Sequence, residues 1–274
     1  MKKKIYILQH LGLGDYFNCN ALIRFFYKKY SKEFEIHLFV TKKYFKTVRD
    51  IFSDLKKLKL KKIYENTSKL SHNQIVDLVK RKIKNRKFKL ILVGYDYYTK
   101  NKKYINKKYT LDELFYKQFN IPYYYRFKNS YWKRNKSKEN SLYKKIIKKK
   151  RFAFIHDDPS RGFIIDKNNI DSGLEVIKNN NKINILNYAK IIEKATEIHV
   201  MESSIRCMLE SLNLTSKKNY LYNFFDGPWK SIPFYKKKKI IGSKVNWIIK
   251  DLNYTPDLKY RLKKFKNFIL EFFK

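Results

Sequence analysis

The start of the chain combines two residues that could carry out acid–base chemistry with a tight glycine turn. Residues 5–8 are an apolar run typical of a buried strand in a parallel sheet, and His10, Gly12, Gly14 and Asp15 follow it. The two glycines allow a sharp turn into a helix. The carboxylate of Asp15, or the imidazole of His10, could accept a proton from an attacking hydroxyl group. Each residue also has a structural interpretation, because Asp often caps a helix and a polar His often ends a strand.

A second polar group lies at 156–162, directly after an apolar run at 152–156 that predicts another buried strand. Loops at the carboxyl ends of parallel strands commonly bind ligands. Arg161, with His156 at the strand end, could bind a diphosphate and stabilise a departing nucleotide. The alternative is an Asp-Pro turn in which Arg161 neutralises Asp157 and Asp158. These two acids could also hold a divalent metal, but they lack the spaced Asp-x-Asp pattern, so we predict no metal site.

A third polar group, made of Glu202, Ser203 and Ser204, follows a predicted strand at 198–201 and begins a predicted helix. Hydroxyl groups and free backbone N–H groups at a helix start can hold a diphosphate. Glu202 could accept hydrogen bonds from a pair of ribose or sugar hydroxyl groups. The structural alternative is that Ser203 or Ser204 caps the helix without binding a ligand.

The segments around these groups alternate between strand-like and helix-like patterns, which predicts an α/β protein with parallel sheets and helices on both faces. The predicted strands are 5–8, 35–40, near 63–64, 89–94, 152–156, 174–177, 198–201 and 220–222. The predicted helices are 18–29, 42–53, one from Ser71 (capping box with Gln74), one from Thr110 (capping box with Glu113), 185–192, 205–212 and 257–272. The alternation stops between 120 and 150, which indicates a crossover between two domains.

Two of these motifs resemble bacterial GT-B glycosyltransferases, distantly those of the heptosyltransferase-like group. They are Gly12-Leu13-Gly14-Asp15 before a helix, and the late run from Tyr188-Ala189 through Ile198 to Ser203-Ser204. The resemblance implies two doubly wound, Rossmann-like domains that face each other across a cleft, with a C-terminal amphipathic helix. The implied division is an acceptor-side domain at 1–130, a crossover linker at 131–150, a nucleotide-sugar-binding domain at 151–255 and the helix at 256–274.

The resemblance also implies roles for individual residues. The family's Gly-Asp turn lines the acceptor cleft and its Asp is the usual base, which is Asp15 here, with His10 as the alternative. The late strand of the family ends in donor-binding residues, and Glu202, Ser203 and Ser204 occupy those positions. The sequence departs from the family in having Ser204 where Gly is usual, and Met208 near the place of a missing His. The loop at 156–161 is similar, more weakly, to the strand-end loop of fucosyltransferases.

The function that follows from the resemblance is metal-independent sugar transfer, of hexosyl or heptosyl type, with no cofactor. The donor would be a nucleotide-sugar. The acceptor would be a hydroxyl group on a cell-surface glycan or a lipid-linked saccharide, as in lipopolysaccharide or surface polysaccharide biosynthesis.

The charge of the chain suggests a different class of function as the alternative. The 274 residues include 64 Lys and Arg against 24 acids, a formal net charge of +40, and such a field attracts nucleic acids and anionic membranes. Because 10 of the 64 are Arg, the residue that nucleic-acid sites favour, nucleic acid is the less favoured partner. Basic and aromatic residues interleave at 123–127 and 131–134, which supports a non-catalytic binding module.

Location and redox state are also suggested by composition. The sequence contains no run of about 18 apolar residues, so it predicts no membrane-spanning helix. Cys19 and Cys207 lie in apolar helical patterns and are expected to be buried thiols, which suits a cytoplasmic protein. The helix at 257–272 and the lysine-rich surface could hold the protein against an anionic inner membrane face. The same helix could instead pack across the two domains.

Overall fold

The computed structural model describes residues 3–83, 88–95, 109–223 and 243–251. The strands are β1 (Lys4–Leu8), β2 (Glu35–Thr41), β3 (Leu58–Ile63), β4 (Phe88–Leu92), β5 (Phe152–His156), β6 (Glu175–Lys178), β7 (Glu197–Met201), β8 (Lys218–Asn223) and β9 (Trp247–Asp251). The helices are α1 (Leu13–Asn18), α2 (Asn20–Tyr30), α3 (Phe45–Ile51), α4 (His72–Lys82), α5 (Leu111–Lys117), α6 (Tyr125–Asn129), α7 (Lys136–Ile146), α8 (Ala189–Lys194) and α9 (Ser204–Leu209). The predicted α/β class is confirmed.

The strands form two sheets in which every neighbouring pair is parallel. The first sheet has the order β3-β2-β1-β4, and the second has the order β6-β5-β7-β8-β9. In each sheet the chain first adds strands on one side of its initial strand and then returns to the other side. The reversal falls between β1 and β4 in the first sheet and between β5 and β7 in the second. Such reversal points leave a crevice at the carboxyl edge, where open α/β sheets bind ligands.

The first sheet is covered by helices on both faces. Along β1, Ile5 and Ile7 point into one hydrophobic cluster with α1 and α2. Tyr6 and Leu8 point the other way, into a cluster with the apolar side of α4. This alternation follows from the pleat of a strand, which turns successive side chains to opposite faces. The prediction of helices on both faces is therefore confirmed for this sheet.

The second sheet is covered differently. Phe152 and Phe154 of β5 pack with α8 and α9 in the same hydrophobic cluster that covers one face of the first sheet. Ala153 and Ile155 face the opposite side, where the described segment 163–174 covers the sheet without forming an α-helix. The large cluster thus runs without interruption from one sheet to the other.

One predicted element, the first helix, differs from the structure. The first helix begins at Leu13 and is interrupted at Cys19, so Gly14 and Asp15 lie inside α1 and not in the turn before it. The predicted linker at 131–150 contains α7, and β9 was not predicted. The predicted helix at 257–272 lies outside the described residues. Both predicted capping boxes are present, at the starts of α4 and α5.

Candidate active site

The three polar groups found in the sequence lie at the reversal points of the two sheets. His10 and the glycine turn follow β1, beside the end of β4. The loop 156–162 follows β5, and Glu202 follows β7, whose Val200 pairs with His156. The second and third groups are therefore neighbours at one carboxyl edge. The sequence predicted each strand end, and the parallel pairing of β5 with β7 brings these two together.

The turn after β1 places Asp15 in the first turn of α1. Gly12 is the N-cap, with extended backbone angles, and no side chain caps the helix. Asp15 is the third helical residue, and its carboxylate bends back toward Gly12, whose backbone N–H stabilises it. This is one half of a capping box, and it places a negative charge at the positive end of the helix. The expectation that Asp15 itself sits at the cap position is wrong by three residues.

The surroundings of Asp15 raise its affinity for a proton. Burial raises the pKa of this carboxyl group to about 7, and the negative charges of Asp112 and Glu202 act in the same direction. The Gly12 N–H and the charge of Arg126 oppose the shift without cancelling it. Among the described residues, no cation lies within ion-pair distance of Asp15. A carboxylate with a pKa near neutral pH can take up a proton during a reaction and release it again.

His10 lies in an aromatic environment that keeps it neutral. Its ring centroid is 5.0 Å from that of His72 and 5.1 Å from those of Tyr95 and Phe115. Burial, together with the charge of His72, lowers the pKa of His10 to about 3. An imidazole with this pKa accepts a proton poorly at neutral pH, because proton affinity falls with pKa.

Gly94 lies just after the end of β4, beside His10 and Phe115. It has a positive φ of 87°, and a Cβ atom here would lie 2.4 Å from Phe115 Cε1 and 3.1 Å from His10 Nε2. Its N–H donates to Gln118 Oε1 at 2.8 Å. Both the backbone conformation and the space therefore require glycine. The sequence prediction extended the strand to Gly94 and did not recognise this turn.

The helix that carries Asp15 is in direct contact with the second half of the chain. A Cβ atom on Gly14 would lie 3.3 Å from Cys207 Sγ and 3.5 Å from the Cα of Ser204. The absence of a side chain at Gly14 lets α1 and the start of α9 approach this closely. Cys207 and Cys19 are both free and buried, as predicted. The first and third polar groups, nearly 190 positions apart in the chain, thus meet.

The acid of the third polar group is already paired. Glu202 accepts hydrogen bonds from Arg206 Nε at 3.1 and 3.0 Å, and Arg206 Nη2 binds it as well. Arg206 is 3% exposed, so this pair helps to neutralise a buried guanidinium. Ser203 Oγ accepts a hydrogen bond from Arg206 N at 3.3 Å and caps α9. The capping alternative is therefore present in the structure, at Ser203.

The second polar group folds as a tight turn. Asp158 and Phe163 exchange two backbone hydrogen bonds, and Gly162 has a φ of 75° between them. Asp157 forms an ion pair with Lys178 at 2.7 Å, whereas the sequence alternative assigned that role to Arg161. The side chain of Arg161 lies outside the described residues. His156 lies next to Asn179, with Nδ1 2.7 Å from Oδ1.

A cavity of about 460 Å³ opens beside Gly12 at the carboxyl edge of β1, β2 and β3. Lys42, Lys43 and Tyr64 are among the residues that line it. Thr41 also lines it, and its nine-tenths buried hydroxyl group has no hydrogen-bond partner in the described part of the chain. The cavity is positively charged at its rim and adjoins the turn that stabilises the Asp15 carboxylate.

Three of the nine residues that supported the binding-module alternative are buried. Arg126, Phe127 and Trp132 are 2%, 6% and 4% exposed, and Arg134 is paired with two glutamates. Tyr124 and Tyr131 are the exposed large aromatic residues among those at 123–127 and 131–134. Arg126, Phe127 and Trp132 therefore help to build the interior, whereas Tyr124, Tyr131 and Lys133 are exposed.

Two residues near Asp15 were missed by the sequence analysis. Asp112 and Arg126 form a buried ion pair behind α1, and both charges act on Asp15. The Thr110 capping box located the helix of Asp112 without indicating that its side chain is buried. The sequence analysis placed Arg126 among the interleaved basic and aromatic residues of the binding-module alternative, because its neighbours in the chain are aromatic. No local pattern in the sequence pairs these two residues.

Two features are absent from the part of the chain that the structure describes. No helix there is long and apolar enough to span a membrane. No group of three or more His, Cys, Asp or Glu residues is arranged there to hold a metal ion.

Comparison with known proteins identifies the fold. No protein-family model and no curated protein matches the sequence. The structure is similar to that of a glycosyl transferase family 9 protein from Veillonella parvula DSM 2008, with a TM-score of 0.51 and 9% identity over 96% of this chain and 92% of that one. A weaker similarity is to E. coli heptosyltransferase WaaC with ADP-2-deoxy-2-fluoro heptose, with a TM-score of 0.47 and 11% identity over 98% of this chain and 99% of that one. Another is to the iron-containing dodecameric glycosyltransferase TibC of enterotoxigenic E. coli H10407, with a TM-score of 0.46 and 11% identity over 83% of this chain and 62% of that one. The chain has the fold of a family 9 glycosyltransferase.

Proposed function

We propose that the protein transfers a sugar from a nucleotide-sugar donor to a hydroxyl group of a saccharide acceptor. The observation that carries this proposal is the contact of α1 with α9. It places a carboxyl group with a pKa of about 7 beside the polar edge of the second sheet. The shared fold with a family 9 glycosyltransferase supports the reaction class, and the residues described here support the assignment of roles.

Asp15 is the general base in this proposal. It removes the proton of the acceptor hydroxyl group as that oxygen attacks the anomeric carbon of the donor. With a pKa of about 7, Asp15 is a far stronger base than His10, whose pKa is about 3. His10, the alternative base, instead supports the edge of the first sheet through its contacts with Phe115 and Tyr95.

The donor lies at the edge formed by β5 and β7. Arg161, His156 and the hydroxyl groups of Ser203 and Ser204 stabilise the diphosphate as it leaves, so that the reaction needs no metal. Glu202 accepts hydrogen bonds from sugar or ribose hydroxyl groups with the lone pairs that Arg206 leaves available.

The acceptor occupies the cavity beside Gly12, next to the proposed base. Lys42 and Lys43 give this cavity a positive rim, which suits the acidic saccharides of cell-surface glycans and lipid-linked intermediates. The sugar transferred is of hexosyl or heptosyl type. The lysine-rich surface holds the protein on the inner face of an anionic membrane, where a lipid-linked acceptor is found.

The first test of this proposal is a thermal-shift screen with nucleoside diphosphates and nucleotide-sugars. A ligand that binds the folded state alone raises Tm. We expect a rise specific to one nucleotide, which an oligonucleotide at the same moderate salt does not reproduce. Arg161→Ala should weaken that binding about tenfold or more, the cost of losing a charge-assisted pair of hydrogen bonds.

Arg81→Ala is the matched control, because Arg81 is exposed on α4 and lies in neither sheet edge. It should bind the nucleotide like the unaltered protein. A response to the oligonucleotide alone, steeply weakened by salt, would overturn the proposal and favour a binding module. Full nucleotide affinity in Arg161→Ala would remove that residue from the donor site.

A further inference from the structure

Arg126 is a fully buried cation held by oxygen atoms from three different parts of the first half. Nη1 donates to Asp112 Oδ2 in α5 and to the hydroxyl oxygen of Tyr123 at 2.6 Å. Nη2 donates to Asn18 Oδ1 in α1 at 2.6 Å. Arg126 is 2% exposed, and its guanidinium carbon lies 4.9 Å from the ring centroid of Phe127. Such an arrangement costs desolvation energy, which makes a purely stabilising role a weak explanation for it.

The contact with Asn18 ties Arg126 to the proposed base. Asn18 and Asp15 are three residues apart in α1, so their side chains leave the same side of the helix. Tyr116 strengthens the same attachment, since its hydroxyl group donates to the backbone oxygen of Asn18 at 2.8 Å. The position of α1, and with it the direction of the Asp15 carboxylate, is therefore set by α5 and α6.

The charged groups that act on Asp15 come from α5, α6 and the end of β7, and the titratable side chains of Tyr16, Cys19 and Tyr95 also lie close enough to interact with it. Asp112 from α5 and Glu202 from the end of β7 are negative and favour the protonated carboxyl group. Arg126 is the cation that favours the ionised form. Burial alone would raise the pKa of Asp112, but the charges of Arg126 and Arg206, together with hydrogen bonds from Thr110 and Tyr123, outweigh burial and keep the pKa below its ordinary value. The Asp112–Arg126 pair is thus ionised, and its two members act on Asp15 with opposite sign.

We propose that Arg126 is a positioning residue for Asp15, which orients α1 through Asn18 and stabilises the ionised carboxylate, while the charge of Asp112 limits that stabilisation. The inference rests on the proposed function in one respect: it assumes that Asp15 must be ionised to act as the base. The electrostatic coupling itself does not depend on the reaction.

The test is to titrate Asp15 in four variants and to measure the pH profile of sugar transfer in parallel. The side-chain carboxyl carbon of Asp15 is followed by NMR in protein labelled with 13C-Asp, and Asp15→Asn identifies its signal. Arg126→Gln removes the cation and should move the midpoint to higher pH. Asp112→Asn removes the anion and should move it to lower pH. If Arg126 and Asp112 had a merely structural role, the two variants would not move the titration midpoint of Asp15 in opposite directions.

The size of the effect on the rate follows from the fraction of ionised Asp15. For an upward displacement of about one pH unit from a midpoint near 7, Arg126→Gln should lose about sixfold more activity at pH 6.5 than at pH 8.5. Arg126→Lys keeps the charge but loses the forked contact with Asn18. It should melt at a lower temperature with its midpoint unchanged.

Arg24→Gln is the matched control for the loss of a paired arginine. Arg24 binds Asp54 through two hydrogen bonds of 2.7 and 2.9 Å and lies on α2, away from the charges that act on Asp15. This variant should lose stability and leave the Asp15 midpoint in place. If Arg126→Gln does not fold, the double variant Arg126→Gln/Asp112→Asn removes both charges while keeping polar partners for Asn18. Its midpoint should then lie between those of Asp112→Asn and Arg126→Lys.

The outcomes separate this inference from the proposed function. Opposite displacements of the midpoint, without sugar transfer by the unaltered protein, would support the coupling and overturn the function. Transfer whose pH profile is the same in Arg126→Gln and in Asp112→Asn would support the function and overturn the inference. Displacements in the same direction would overturn it as well.

Discussion

Each of the two sheet edges has an acid after the end of a central strand, and the surroundings of these two acids are opposite in charge. Glu202, after β7, is bound by Arg206 through its nitrogen atoms from the next turn of helix. Asp15, after β1, is stabilised by the N–H group of Gly12 and faces two further negative charges. The comparison shows that position at a strand end does not decide what an acid can do. A paired acid stabilises the fold, whereas an acid with no described cation at ion-pair distance keeps its capacity for proton transfer.

Replacing the unpaired acid should have the largest effect on the reaction. Asp15→Asn keeps the size of the side chain and an oxygen for the Gly12 N–H, but it removes the proposed base. We expect the rate of sugar transfer to fall by about 10² to 10⁴, the usual contribution of a positioned base. Rates of nucleoside diphosphate release, measured with donor and acceptor at saturating concentrations, would show it. Asp77→Asn, on the exposed side of α4, should retain full activity. Unaltered turnover in Asp15→Asn would show that Asp15 is not the base and that the two acids do not differ in this way.

Replacing the paired acid should affect stability first. Glu202→Gln leaves the buried guanidinium of Arg206 without its carboxylate partner, which costs about 3 kcal/mol for a pair of this kind. Urea unfolding at pH 7 would measure the loss. Glu210 lies 3.9 Å from Arg206 Nη1 and provides partial compensation. A stability equal to that of the unaltered protein would show that Arg206 does not need Glu202.

The pH dependence of stability offers a third contrast. The pKa of Asp15 is raised in the folded protein to about 7 from its ordinary 3.8, so between these values the folded state binds a proton that the unfolded state has lost. Its contribution to stability is therefore greatest at low pH and is lost as the pH rises from about 4 to about 7.

Asp15→Asn should remove this dependence and be more stable than the unaltered protein at pH 8. We expect a gain of about 2 kcal/mol, half the ideal linkage value because the partly exposed carboxylate keeps some of its water. Thermal unfolding of both proteins between pH 4 and pH 8 would reveal the difference. Parallel curves would mean that Asp15 titrates in the folded protein as it does in the unfolded chain.

The smallest effect is expected at the cap of α9. Ser203→Ala removes the acceptor for the Arg206 N–H and should cost about 1 kcal/mol, the usual value for an N-cap. It should also weaken nucleotide binding modestly if the hydroxyl group faces the donor. Ser53→Ala is a suitable control, since its hydroxyl group donates to Asp50 O in an exposed loop. A lower Tm with unaltered nucleotide affinity would assign Ser203 to the fold alone.

Local patterns in the sequence were sufficient for much of the fold. The apolar runs located the strands that carry the candidate site, and the capping boxes at Ser71 and Thr110 were found because their partners are three residues away. The start of α1 was placed too late because Gly14 is a poor helix former. The reason for that glycine, the contact with Ser204 and Cys207, is tertiary and leaves no local signal.

The chemistry of the site depends on residues that are distant in the sequence. Asp15 could be nominated from its place in the turn, but its pKa is set by burial and by Asp112, Arg126 and Glu202. The pairing of Glu202 with Arg206 spans one helical turn and could have been predicted from their spacing. The position of Glu202 at a strand end favoured ligand binding as its interpretation instead. The burial of Arg126 follows from the surfaces that meet around it, which a linear pattern does not record.

The contact between Arg126 and Asn18 also has a consequence for the order in which the protein is made. The two residues are 108 positions apart, and β1 pairs with β2 long before β4 is available. In the order of synthesis, the surroundings of Asp15 are complete only after Asp112, Arg126 and finally Glu202 have been added to the chain. Until then Asp15 has the acidity of an ordinary exposed aspartate. The proton affinity that the proposed base needs is therefore a property of the assembled protein and not of the amino-terminal segment alone.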